Sequence, residues 1–494
     1  MTPTPPPTSV RAALRSPRAL RTEVLGGLVV ALALIPEALA FSVIAGVDPR
    51  VGIFAAFTMA VSIAFLGGRP AMISAATGAV ALVIAPLMAS HGLDYLVACV
   101  ILAGLIQVAL AVCGVARLLR FIPRSVMVGF VNGLSILVLL AQLPELTHVP
   151  WAVYPLVAAG VAIIVMLPRL TTLVPGPLVA IVLVTAAVVA SGITVPTVGD
   201  KGALPDSLPT LFLPDVPLTL DTLRVIAPYA LAMAVVGLLE SLLTAKLVDD
   251  VTDTGSNKTR EAWGQGAANI ITGFFGGMGG CAMIGQTMVN VKIAGARTRL
   301  STFLAGVFLL VLVVGLGDLV GLIPMAALVA VMMMVCVATF DWHSIRPSTL
   351  RRMPKSETTV MAVTVALVVV THNLAIGVVA GVLTAAVLFA RRVAHVVEVS
   401  RTLSDDGASV RYEVVGELFF ASSNDLFSQF DYAHDPTTVV IDLAAAHVWD
   451  ASSVAALDSI ETKYTRHGCT TSIVGFNPES ARIHSRLAGH LGAG

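Results

Sequence analysis

Long apolar runs succeed one another through most of the chain, separated by short segments that carry Gly, Pro and charge. The pattern predicts helical crossings near residues 24–44, 50–67, 93–114, 123–143, 151–167, 176–192, 223–248, 258–276, 299–317, 320–338, 357–371 and 374–396. Such lengths suit a hydrocarbon layer roughly 30 Å thick. Two further stretches, 71–89 and 281–296, are apolar overall yet open on small and hydroxyl-bearing residues, poor material for the start of a lipid-facing helix. After about residue 400 the runs shorten and alternate. Two strands, a buried strand VVIDL, an amphipathic helix and a last strand TSIVGF read as a small α/β domain.

Charge placement decides how many stretches cross. Under strict alternation Arg69, Arg117, Arg120, Arg124, Arg169, Lys246, Lys258, Arg260, Lys292, Arg297, Arg299, Arg346, Arg351, Arg352, Lys355, Arg391 and Arg392 all fall on the N-terminal side. Fourteen spans with both ends in the cytoplasm satisfy the positive-inside rule, whereas dropping either odd stretch inverts everything between them. Arg11, Arg15, Arg18 and Arg21 hold the N-terminal end inside, and that segment lacks the apolar core and cleavage site of a removable signal peptide. The expected plan is a cytoplasmic segment 1–22, seven-span repeats 23–195 and 222–398 joined by an outer linker 196–221, and a cytoplasmic α/β domain 399–494, all in a bacterial inner membrane.

Composition narrows the function classes. The 494 residues are 56% hydrophobic and 12% charged, with mean hydropathy +0.90, where soluble domains carry roughly 25% charged residues. A net charge of zero without a basic patch excludes nucleic acid as a partner. Five scattered cysteines with no CxxC pair point to neither a metal site nor a disulfide framework. No HExxH, Walker or GxSxG motif points to an enzyme or a cofactor.

The two odd stretches resemble each other: FLGGRPAMISAATG from Phe65 and FFGGMGGCAMIGQTMV from Phe274, each at the third crossing of its half. An odd number of spans per half inverts the second half, the plan of many secondary transporters. Thr77 to Ala89 spans only about 20 Å as a helix, so the residues before it must be extended. Irregular backbone at that depth has to be buried in protein or line a cavity. Two half-helix tips meeting near the midplane offer an anion their first N–H groups and positive dipole ends. Ser74, Thr77, Gln286 and Thr287 add neutral donors.

Glu37 and Glu240 sit deep in apolar runs, where a carboxylate is a functional candidate by default. For Glu37 a structural, protonated acid is an equal reading, because Pro36 frees a carbonyl one turn earlier. Thr244 shares a face with Glu240 at i+4, and the pair suits a proton or Na⁺. A buried carboxyl beside an anion holds its proton more tightly, so proton and anion binding favour each other. Asp249, Asp250 and Asp253 read as a solvated helix end, and Asn132 as bonding a neighbouring helix.

GGLVVALALIPEALAFSVIAGVDPRVGIF, GGRPAMISAATG, RFIPRSVMVGFVNG, ESLLTAK, GGCAMIGQTMVN and the terminal VVIDL…WDASSVAALDSI together resemble the SulP anion transporters, the sulfate-permease relatives of prestin. The resemblance implies core and gate domains that move like an elevator, a cytoplasmic STAS domain and a homodimer. It places the substrate at Ser74, Ala75, Ala76, Thr77 and Gly78 and at Gly285, Gln286 and Thr287, with Glu240 and Thr244 as the Na⁺ position of bicarbonate carriers. Three residues depart from the pattern: Gln286 where many animal members have Arg, Glu37 where Gln is common, and Ala451 where soluble relatives have a phosphorylated Ser. Without the Arg, co-transport of a cation gains over plain exchange, and Glu37 adds a second proton carrier. The expectation is a proton-coupled symporter for a dicarboxylate such as fumarate. Na⁺-coupled bicarbonate or proton-coupled sulfate transport, nucleobase transport, and a sensor acting through the STAS domain are the alternatives.

Overall fold

The computed structural model describes residues 9–114, 122–170, 175–394 and 397–489, without the side chains of Leu170, Val393, Ala394, Asn424 and Asp425. Arg117 and Arg120, both part of the charge bias above, lie outside the described residues. The chain divides into two compact units, Met1–Val382 and Leu383–Gly494.

The first unit is helical. In chain order it comprises α1 (Val10–Arg15), α2 (Pro17–Ala45), α3 (Pro49–Leu66), β1 (Ser74–Ala75), α4 (Gly78–Val112), α5 (Arg124–Leu140), α6 (Val153–Leu170), α7 (Gly176–Ser191) and α8 (Leu220–Thr252). It continues with α9 (Lys258–Phe274), β2 (Cys281–Ala282), α10 (Ile284–Met288, widening to a π turn over Val289–Ile293), α11 (Arg299–Gly315), α12 (Gly317–Gly321), α13 (Met325–Thr339), α14 (Pro347–Arg352) and α15 (Lys355–Thr371). Helix α16 (Leu374–Ala394) runs across the division.

Among the described residues six helices are long and apolar enough to cross a membrane, and four further apolar helices are shorter. The protein is an integral membrane protein. Fourteen crossings remain the reading from charge placement. The expected boundary between 71–89 and 93–114 falls inside α4, where the non-helical Gly92 (φ 81°) separates two helical segments. A left-handed backbone at that residue breaks the helical path, and glycine adopts it without a Cβ penalty.

Two sets of helices pack within this unit. Helices α2, α3, α4, α8, α9 and α11 contact one another around the short strands, while α5, α6, α7, α13 and α15 form a second group. Small residues allow close approach in the first set. A Cβ on Gly104 of α4 or on Gly266 of α9 would lie 2.6 Å from the other residue's carbonyl oxygen, so these helices meet backbone to backbone. The linker is held by backbone hydrogen bonds from Val198 to Ile323, from Arg50 to Ala203 and from Phe212 to Phe274.

The second unit carries β3 (Glu398–Leu403), β4 (Ser409–Leu418), α17 (Ser423–Phe427), β5 (Thr438–Val448), α18 (Ala451–Arg466), β6 (Thr470–Val474) and α19 (Pro478–Leu487). The sheet order is β3-β4-β5-β6, antiparallel in the first pair and parallel in the other two. This is the strand, strand, buried strand, helix, strand sequence expected from the pattern. Its core gathers Tyr412, Val439, Ile441, Leu457, Ile460 and Tyr464. Asp450 caps α18 by accepting from the Ser453 amide, which places Ser453 inside and leaves Ser452 exposed.

Candidate functional site

Both odd stretches are broken, as their small residues predict. From Met72 to Thr77 the chain is extended; it becomes helical only at Gly78, where Thr77 caps α4 by accepting from the Val80 amide at 3.4 Å. From Gly280 to Met283 the second copy is likewise extended, after a left-handed Gly279 (φ 76°), and helix resumes at Ile284. The extended parts pair antiparallel, Ser74 with Ala282 and Ala75 with Cys281. Backbone polar groups far from water need partners, and here each copy supplies the other. The Met283 amide donates to the Ile73 carbonyl at 2.9 Å. A Cβ on Gly280 would overlap the Ala75 carbonyl, so the pairing requires a bare backbone there.

Buried side chains complete that pairing. Asn269 of α9 donates to the Gly280 carbonyl at 3.0 Å and accepts from the Gly280 amide at 2.9 Å, while also donating to Gln107 of α4 at 2.9 Å. Gln265 donates to the Ser74 hydroxyl at 2.7 Å and to Glu261 at 2.9 Å, and Glu261 accepts from the amides of Gly68 and Arg69. Ser241 accepts from the Ala282 amide at 3.1 Å, and Asn290 donates to the Ala71 carbonyl at 2.9 Å. Glu23, also buried, accepts from the amides of Arg297, Thr298 and Ser301 and so caps α11. The apolar pattern marks none of Asn269, Gln107, Gln265, Glu261, Asn290 and Glu23 as functional. Glu261, Gln265 and Asn269 stand four apart on α9, a polar stripe visible in the sequence; Gln107 and Glu23 give no comparable signal.

A cavity of about 90 Å³ opens where the two tips converge. Its walls include Thr77, Gly78 and Ala79 of the first tip and Met283, Ile284, Gly285 and Gln286 of the second. Glu37 and Phe41 of α2, Glu240 of α8, Phe130, Leu134, Ser135 and Val138 of α5, and Val335, Cys336 and Thr339 of α13 close it. The wall thus draws on both helix sets. It contains two carboxyl groups and no Lys, Arg or His. Amides in the first turn of a helix have no acceptor one turn back; Thr77 accepts from that of Val80, and residues of both tips border this space.

The expected site residues separate into two groups. Thr77, Gly78, Gly285, Gln286, Glu37 and Glu240 meet at the cavity. Ser74, Ala75, Ala76 and Thr287 do not line it: the first two form β1, and Thr287 accepts from the Ile73 amide at 3.0 Å and donates to its carbonyl at 3.4 Å. Thr244 also stands outside the wall, its hydroxyl donating to the Glu240 backbone carbonyl at 2.7 Å instead of facing the carboxylate. Glu37 bonds a side chain, accepting from Gln286 at 2.9 Å, where a backbone carbonyl was the competing expectation. Glu240 accepts from the Cys281 thiol at 3.0 Å. Asp249 corrects the view of a solvated helix end: half-buried, it pairs with Arg69 at 2.9 Å and Lys258 at 2.7 Å. Asn132 donates to the Ser344 hydroxyl and accepts from the Asp341 amide, tying α5 to the segment before α14.

The fold and sequence have relatives that transport anions. Residues 20–155 and 148–364 match the model of the sulfate permease family, and 401–490 that of the STAS domain. YbaR of Bacillus subtilis, provisionally named a sulfate transporter, is 52% identical over 469 residues, covering 95% of this chain and 97% of its own. The bicarbonate transporter BicA of Picosynechococcus is 27% identical over 498 residues, 90% of this chain and 87% of its own. The solved transmembrane domain of a cyanobacterial BicA superposes with a TM-score of 0.66 at 27% identity, covering 74% of this chain and 97% of that one. The murine Slc26a9 anion transporter, in an inward-facing state, shares the fold at 16% identity, with a TM-score of 0.81 over 94% of this chain and 87% of that one. These relatives are named as transporters, not enzymes. The chain belongs to the sulfate permease family: it is an anion transporter of the membrane, with a STAS domain after its helices.

Proposed function

We propose that this protein carries a small inorganic oxyanion, sulfate or bicarbonate, together with protons across the inner membrane, both chain ends facing the cytoplasm. The observation that carries the reading is the cavity wall: two helix tips that offer amides, two carboxyl groups and no cation. An anion beside ionised carboxylates is repelled, and repulsion is strong where water is scarce. Occupancy therefore requires Glu37 and Glu240 to be neutralised, and a bound proton does this at no cost in space. The thiol that meets Glu240 is a poor partner for a hard cation such as Na⁺, which supports protons over sodium. The names of YbaR and BicA favour sulfate or bicarbonate over the dicarboxylate expected from the buried acids alone.

The wall is built from α2, α4, α8 and α10 on one side and α5 and α13 on the other. Sliding of the first set against the second would expose the tips alternately to each face, the elevator-type movement that the family resemblance implies; a homodimer is part of the same reading. Uptake of labelled sulfate, bicarbonate and fumarate into proteoliposomes, with and without imposed pH and Na⁺ gradients, tests it. Sulfate or bicarbonate should accumulate under a proton gradient, and Glu240→Gln should abolish gradient-driven accumulation. Fumarate as the preferred ion, or gradient-driven uptake intact in Glu240→Gln, sinks the assignment.

A further inference from the structure

We propose that Cys281 is a positioning residue that ties the protonation of Glu240 to the anion-binding tip of α4, through the hydrogen-bond chain Thr77–Cys281–Glu240. The inference rests on the proton-coupled reading above and names the device by which one proton helps hold one anion.

Cys281 Sγ lies 3.0 Å from Glu240 Oε2 and 3.1 Å from Thr77 Oγ1. Thr77 and Glu240 line the cavity; Cys281, fully buried on β2, stands behind them and touches both. The positions are set by elements already described: β2 by its pairing with β1, and Thr77 by its role as the cap of α4.

The direction of the chain follows from what each group can give. An ionised carboxylate only accepts, so the thiol gives its S–H to Glu240. The sulfur is then left as an acceptor, and the Thr77 hydroxyl donates to it. In that state the hydroxyl proton points away from the cavity. When Glu240 takes a proton from solution, its new O–H donates to the sulfur. The S–H turns to Thr77 Oγ1, and the Thr77 O–H is released toward the cavity. No bond forms or breaks apart from the O–H made at Glu240; the remainder is rotation. One proton thereby removes a negative charge from the wall and adds a donor at the tip. A thiol suits the middle position because it is a weak donor and a weak acceptor, so neither orientation is locked.

The ionisable surroundings leave this chain free to act. Across the cavity stand Glu37 on α2 and Cys336 on α13. Of the elements packed on α8, α10 has no ionisable residue, α9 presents Glu261 engaged by the Gly68 and Arg69 amides, and Cys99 of α4 donates to the Ile226 carbonyl.

Two readouts on the full-length protein test the chain. In proteoliposomes supplied with whichever of labelled sulfate or bicarbonate the wild type accumulates, Cys281→Ala, which leaves no sulfur to hold the Thr77 O–H away from the cavity, should lower KM roughly tenfold at alkaline pH, the worth of one hydrogen bond to a charged partner. The difference should vanish at acid pH, where the wild-type hydroxyl already faces the cavity, and Cys281→Ser, which can donate and accept, should restore the wild-type profile. In infrared difference spectra, the S–H band missing from Cys281→Ser should shift between acid and alkaline pH in the wild type and stay fixed in Glu240→Gln. Wild-type KM in Cys281→Ala at every pH, or an S–H band indifferent to pH, overturns the relay while gradient-driven wild-type uptake leaves proton coupling standing. Wild-type uptake indifferent to pH overturns proton coupling itself, and the relay with it. If Cys281→Ala does not fold, the serine variant and the infrared band decide.

Discussion

Gly78 stands where α4 begins and lines the cavity without a side chain of its own. A Cβ there would lie 2.9 Å from Phe41 Cε1 and 3.1 Å from Val138 Cγ2. Phe41 would have to give way, and it lines the same space. Gly78→Ala should therefore raise KM severalfold and, because buried Phe41 must shift, also lower the thermal unfolding midpoint; a lowered midpoint with wild-type KM points to a packing role only. Gly285 differs: a Cβ there meets nothing within 4 Å. Gly285→Ala should fold normally, and its methyl group should weaken anion uptake by occupying space at the second tip. The positions of Thr77, Gly78, Gly285 and Gln286 were legible because small and hydroxyl residues are costly choices inside an apolar run. That Ser74 and Thr287 serve the β1–β2 pairing was not legible, because a hydroxyl reads the same whether it faces a ligand or a neighbouring strand.

At the scale of elements, the site depends on two strands of two residues each. Strands this short have no stability of their own, and α9 supplies what they lack. Asn269 satisfies both backbone groups of Gly280, so Asn269→Ala leaves a buried donor and a buried acceptor unpaired. Each orphan costs about 1–3 kcal/mol, and the expected loss of roughly 2–4 kcal/mol should appear as a lower unfolding midpoint together with lost transport. Wild-type stability in that variant would show the pairing to be held by other means. The breaks themselves were predictable from helix length against bilayer thickness. Their antiparallel pairing was not, because the partner lies some two hundred residues away and no local pattern records it.

Across the whole molecule, the cavity wall belongs entirely to residues of the first compact unit. Removing residues 399–494 should lower yield or rate while leaving the order of competing anions intact; a changed order would place part of the site elsewhere. The second unit has its own buried keystone. Asp435, with no side-chain exposure, accepts from the hydroxyls of Tyr412 and Tyr464, each at 2.6 Å, and pairs with Arg401 at 2.8 Å. Asp435→Asn weakens charge-assisted hydrogen bonds to the tyrosines and to an Arg401 that is 37% exposed, a loss of about 1–2 kcal/mol, so calorimetry of the full-length variant should show an earlier transition for that unit. The sequence alone determined the class of the protein and the α/β character of its end. Hydrophobic periodicity and charge bias are local quantities, summed along the chain. Only the tertiary structure decided which polar groups face the cavity and which face one another. That choice turns on distances between residues far apart in sequence, such as Glu37 with Gln286 and Glu240 with Cys281.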